Sequence, residues 1–161
     1  MEIILEDELF KKLENGDAFI EFPVEIMVLD GKPTEVNHMI YPLEEMKKAV
    51  NTERIQKTID AGKLFSELGN PSYTNDLRRW TTIEQTNVHS RFTKLWFEGN
   101  KLMGMVRTVP GNVNLMMKSI LSGLYPSFSI RVLGEVNKTD NGANILKNIS
   151  LVTIDWKKPI D

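Results

Sequence analysis

Leu95-Trp96-Phe97-Glu98-Gly99-Asn100-Lys101-Leu102-Met103-Gly104 joins two runs of strand-forming residues through a Gly-Asn turn, and this reads as a tight antiparallel hairpin. Outward from it, Thr81 to Phe97 is rich in Thr, Val, Ile, Phe and Trp and predicts one long strand or a bent pair, with Lys101 to Val109 as its partner. Upstream, Ala18 to Leu29 alternates and then becomes apolar, which suits one strand or two broken at Pro23, ended by the Asp30-Gly31 turn. Tyr41-Pro42 opens a helical spacing of Leu43, Met46 and Val50, and a second helix runs from Glu53 to Ala61 and stops at Gly62. Gly69 to Trp80, with Asn70-Pro71-Ser72 and Asn75-Asp76, reads as a loop.

Downstream of the hairpin, Pro110-Gly111 breaks the sheet. Val113, Met116, Met117, Ile120, Leu121 and Leu124 then mark one helix face, closed by Gly123, with the methionines as core filling. Ser129–Val136 and Asn144–Trp156 predict two more strands around Asp140-Asn141-Gly142. Ahead of the first strand, Asp7–Glu14 spaces Leu9, Phe10 and Leu13 as a short amphipathic helix ended by Asn15-Gly16. The expectation is an α+β fold: a curved, mostly antiparallel sheet or barrel flanked by helices. Residues 1–17 form a helical extension, its apolar face a candidate contact surface, and residues 18–161 form the domain.

Composition narrows the function. With 161 residues, 41% apolar and 26% charged, one core is expected. A net charge of -2 and scattered basic residues argue against nucleic acid. The absence of cysteine removes thiol chemistry and cysteine-ligated metals. Two histidines without carboxylates at ligand spacing make no zinc site, and no phosphate-cradling glycine loop is present, so no cofactor or metal is expected. The acidic start and the lack of a long apolar run give no sign of a signal peptide or membrane span, which points to synthesis in the cytoplasm.

One stretch carries chemistry. Pro126-Ser127-Phe128-Ser129-Ile130-Arg131-Val132-Leu133-Gly134 sets a serine on a strand with an arginine two positions on, the pattern of a nucleophile with an oxyanion partner. A serine hydroxyl needs an adjacent base to attack, and the chain offers only His38 and His89.

Five stretches together resemble the prohead (capsid maturation) serine proteases of tailed bacteriophages, which share a fold with the herpesvirus assemblins. They are Asn37-His38-Met39-Ile40-Tyr41-Pro42, Ser66-Glu67-Leu68-Gly69-Asn70-Pro71, Asn87-Val88-His89-Ser90-Arg91-Phe92 running into the hairpin, the Ser129 segment, and Ile154-Asp155-Trp156 with Pro159. By this resemblance Ser129 is the nucleophile position, and Arg131 holds the oxyanion directly or through water. Glu67 or Asp155 is a candidate third group.

The departures fall on the base. The resemblance puts the catalytic histidine at Asn70, and an amide has no useful basicity near neutral pH. The second family histidine follows a serine, whereas here the order is His89-Ser90. On a strand that exchange turns the imidazole to the other face unless a bulge restores it. Ser127 and Phe128 stand where the family has glycine and a small apolar residue, Ile130 replaces a second serine, and the closing Pro-Ser reads Pro159-Ile160. The resemblance therefore implies an inactive relative in the prohead or virion, assembled in the host cytoplasm. It would be oligomeric and bound to capsid, scaffold or other virion proteins, with neither nucleic acid nor membrane as partner. Two alternatives stand beside it. One is an active maturation endopeptidase that uses Ser129 with His89, or less well His38, as a substitute base. The other is an unrelated β-rich interaction module anchored by Phe10, Trp80 and Trp96.

Overall fold

The computed structural model describes residues 11–12, 19–35, 37–71, 76–109, 114–121 and 123–157. Of the expected helix over Asp7–Glu14, Lys11 and Lys12 are helical and exposed; the remainder, including Leu9, Phe10 and Leu13, lies outside the described residues, as do Asn15-Gly16, Pro110-Gly111, Val113 and Pro159.

The expected hairpin is the centre of the first sheet. Its strands, β4 (Val88–Glu98) and β5 (Lys101–Thr108), pair antiparallel from Glu98↔Lys101 to Ser90↔Thr108. Gly99 closes the turn at φ 61, a left-handed conformation that glycine adopts without strain. β1 (Glu21–Val28) adds to the outer side of β5, and β3 (Phe65–Glu67) adds to β4, giving the order β1-β5-β4-β3. Pro23 does not break β1. Thr108 N donates to Ile20 O, so the two-residue alternation turns the Pro23 nitrogen away from β5, toward the open edge.

The second sheet has the order β2-β7-β6, from β2 (Met39–Ile40), β6 (Phe128–Lys138) and β7 (Asn144–Trp156). The two sheets meet along one seam. There Leu68 bridges Trp156, and Gly69 N donates to Trp156 O at 2.6 Å. The opposite seam stays open as a groove of about 230 Å³ between Phe22–Glu25 of β1 and Tyr125–Ser127 ahead of β6. The barrel anticipated from the sequence is therefore not closed. Pro23, whose nitrogen faces that edge without a proton, blunts it against a further strand.

Helices pack the core from outside. α1 (Leu43–Val50) buries Met46, Ala49 and Val50, and α2 (Glu53–Asp60) buries Ile55 and Ile59. Thr52 caps α2 by accepting from Ile55 N. Met46, Val50, Ile55 and Ile59 join Phe92, Leu102, Val106, Phe128, Leu151, Ile154 and Trp156 in one cluster, with Met116 and Ile120 of a further helix, Asn114–Leu121. Leu124, placed on that helix face by spacing, lies beyond its end and is exposed.

Two expectations fail between β3 and β4. The segment read as a loop up to Trp80 contains a short helix, Leu77–Thr81, which Asp76 caps by accepting from Arg79 N. This helix and the 3₁₀ turn Gln85–Asn87 take the residues that spacing had assigned to the start of a strand, so β4 begins only at Val88.

Candidate active site

Ser129 pairs with Asp155 across the β6–β7 ladder, and Arg131 follows two residues on, so all three side chains share one face of this sheet. Phe128, Ile154 and Trp156 point the other way, into the core. Beyond β3, Gly69 takes φ 78 and brings the next residue over Ser129. Asn70 Nδ2 donates to Ser129 Oγ at 3.2 Å. Asn70 is exposed and Ser129 half-buried, so the pair lies at the surface of the cleft.

The direction of that bond matters. A base accepts the serine proton; here the amide N–H donates a hydrogen bond to the serine oxygen instead. Asn70, which the resemblance puts at the base position, therefore contacts Ser129 across the cleft in a form that does not raise the nucleophilicity of that hydroxyl.

Arg131 is wholly buried, and its donors are all engaged. Nε and Nη2 fork onto Asp155 Oδ2 and Oδ1 at 2.9 and 2.8 Å, Nη2 also reaches Glu67 Oε2 at 2.8 Å, and Nη1 donates to Trp80 O and Thr82 O at 3.2 and 2.9 Å. A guanidinium has five N–H groups, and five protein oxygens accept them. The direct oxyanion contact expected of Arg131 thus has no donor left, because the oxygens of β3, β7 and the Trp80 helix hold every one.

Glu67 is equally buried and is gripped from the other side by Arg79, whose Nη2 and Nη1 lie 2.7 and 3.2 Å from its two oxygens, and by Asn87 Nδ2 at 3.2 Å. Burial pushes its pKa up, but the hydrogen bonds from Arg79, Arg131 and Asn87 outweigh this and take it from 4.5 to about 2. Asp155 is raised instead, because its burial outweighs the bonds from Arg131. Glu67 and Asp155 thus act as holders of a buried cation.

The histidines separate. His89 sits at a bulge: Ser66 pairs with Ser90 and Glu67 with Val88, leaving His89 as the extra residue. Three consecutive residues, Val88, His89 and Ser90, are buried as a result. The sequence allowed the imidazole back to its expected face only through a bulge, and a bulge lies at this position. The ring packs edge-on against Trp156, 5.6 Å between centroids, on the residue whose side chain faces away from the Ser129–Asp155 side of the sheet. His38 is exposed at φ 52, beside β2, which pairs with the start of β7 at Asn144 and Ile145. Asp155 lies at the far end of that strand, of the order of 30 Å away at about 3.3 Å per residue. His38 is no base for Ser129.

Arg79, Trp80, Thr82 and Asn87 were not singled out as site residues in the sequence. Their roles arise from carbonyls and carboxylates far away in the chain, and the one local signal was Asp76 at capping distance from Arg79. Trp80, taken as a surface anchor, is half-buried and donates from Nε1 to Val132 O at 2.9 Å; Trp96 Nε1 bonds Glu98 Oε1 at 3.1 Å. Among the described residues no group of three histidine or acidic side chains is arranged to hold a metal.

A family model described as prohead core protein serine protease matches residues 12–156. Among solved structures, the bacteriophage T4 capsid assembly protease gp21 is similar, with a TM-score of 0.66 at 19% identity over 88% of this chain and 82% of that one; at this identity the likeness is one of fold. No curated protein matches. The match over nearly the whole described length sets aside the unrelated interaction module, and the chain belongs to the prohead core protein serine protease family.

Proposed function

We propose that this chain takes part in phage head assembly as a non-proteolytic member of its family, binding capsid, scaffold or other virion proteins through a retained protease frame. The observation that carries the reading is the bond from Asn70 Nδ2 to Ser129 Oγ, an amide donor in the place of a base. Removing the base of a serine triad lowers turnover roughly a millionfold, too far for useful processing of a capsid. The full engagement of Arg131 supports the same reading from the oxyanion side. Location in the prohead or virion, and assembly into an oligomer, belong to this proposal.

A second reading has one observation in its favour. Bulges gather beside active sites, and the bulge at His89 buries the second imidazole of the chain near the cleft end of β7. In that case Ser129 cleaves head proteins with His89 as base.

One experiment separates the two. The purified chain is treated with a fluorophosphonate probe, with Ser129→Ala and His89→Gln as companions. The expected result is labelling no faster than that of free serine and unchanged in either variant. Rapid labelling of Ser129 that disappears in both variants would overturn the first reading and establish the second.

A further inference from the structure

β6 has β7 on one side and, among the described residues, no strand on the other, yet part of its open edge is occupied. The occupant is the segment Arg79–Thr82 at the end of the short helix Leu77–Thr81. The Trp80 indole N–H donates to Val132 O at 2.9 Å, in the position that the amide of an added strand would take. The guanidinium of Arg131 lies 6.0 Å from the same indole ring and holds the Trp80 and Thr82 carbonyls. Arg79 fastens the segment a third time, with both terminal nitrogens on Glu67 and Nη2 also 3.4 Å from Glu84 Oε2.

We propose that Arg79–Thr82 is a built-in strap, with Trp80 as its tip, that covers the edge of β6 three residues beyond Ser129 and keeps extended polypeptide from pairing there. An open strand edge presents unpaired N–H and C=O groups that recruit other chains, and native proteins cover such edges. Strand addition is also a recurring way to capture an extended peptide. The strap meets both requirements: it protects the edge while docked, and it decides whether a peptide can reach the β6 side of the cleft. Its anchors differ in accessibility. Arg131 and Glu67 are sealed in the interior, whereas the side chain of Arg79 is 32% exposed, so Arg79 is where a partner could loosen the strap. The strap acts on access alone, so it goes beyond the question of whether Ser129 hydrolyses anything.

The test reads edge access directly. In the ¹⁵N-labelled full chain, line broadening by the neutral nitroxide TEMPOL is measured at the Val132 amide and at the outward amides of β6 beyond Gly134. Wild type, Arg79→Gln and Trp80→Phe are compared. The expected wild-type result is broadening at Val132 at least fivefold weaker than at those distal amides. Each variant should bring Val132 to within twofold of them, with the β4–β5 hairpin signals unmoved. Equal broadening along β6 in the wild type would overturn the proposal without any variant. So would a shielded Val132 in Trp80→Phe or Arg79→Gln while the Arg79–Thr82 amides have become exposed. Labelling of Ser129 enters neither arm, so this proposal and the reading of the active site stand or fall separately.

Discussion

Around Arg131 a single side chain replaces what several backbone bonds would otherwise do: it ties β3, β7 and the Trp80 helix to β6 through five acceptors. A buried charge is tolerable only while it is paired, and here the pairing is complete. Arg131→Met leaves Glu67 buried with Arg79 and Asn87 to answer it, and Asp155 buried with the Glu67 backbone N–H at 3.1 Å but no cation in its place. The expected cost is about 3 to 5 kcal/mol at pH 7, measured by urea unfolding. The cost should shrink as the pH falls and the orphaned carboxylates take up protons. A loss no larger than about 1 kcal/mol would mean that the network contributes little. Asn70 is the contrasting case, an exposed amide at the cleft surface with a hydrogen bond to Ser129 Oγ.

At the scale of elements, the β4–β5 hairpin depends on a close approach. A Cβ on Gly104 would stand 2.5 Å from Phe92 Cε1 and 3.0 Å from Ile26 Cδ1. Gly104→Ala should therefore cost about 1 to 3 kcal/mol through displacement of a buried ring, seen as a lower urea midpoint with an unchanged slope. This hairpin, helix α1 and β7 were all legible in the sequence. Each is written locally, in a Gly-Asn turn, in Leu43, Met46 and Val50 at helical spacing, or in an apolar run after Asp140-Asn141-Gly142. The helix at Leu77–Thr81 was not, because the turn-forming residues ahead of it outweigh five helical ones and its stability comes from Trp80 and Arg79 docking on distant strands. In the site, Ser129 and Asn70 could be placed as neighbours by family resemblance. The five partners of Arg131 could not, since two are main-chain oxygens that leave no trace in residue identity.

For the molecule as a whole, acid is the natural probe of the buried network. Glu67 has a folded pKa depressed from 4.5 to about 2, so its contribution to stability is complete above pH 4.5 and disappears as the pH falls toward 2. The difference amounts to about 3 kcal/mol. Asp155 works the other way: its raised pKa means that protonation in acid favours the folded state, and the sum of the two blurs any single titration. Comparison with Glu67→Gln isolates the first group. The gap in unfolding free energy between wild type and Glu67→Gln should be widest at pH 7 and close between pH 4.5 and 2; a constant gap would mean that the Glu67 charge is unimportant.

The placement of β7 also has a consequence for the order of events during synthesis. It is the central strand of its sheet, follows every other described strand in the sequence, and supplies Asp155 to Arg131 and Trp156 to the seam with β3. Until it emerges from the ribosome, β6 has no ladder partner, the guanidinium of Arg131 lacks its forked acceptor, and the first sheet stands with an apolar face uncovered. Hairpin β4–β5 can form early from neighbouring residues, but the cleft, the strap and the seam all wait for one late strand. The nascent chain therefore passes through an interval in which apolar surface of the first sheet and the edge of β6 are open to other polypeptides.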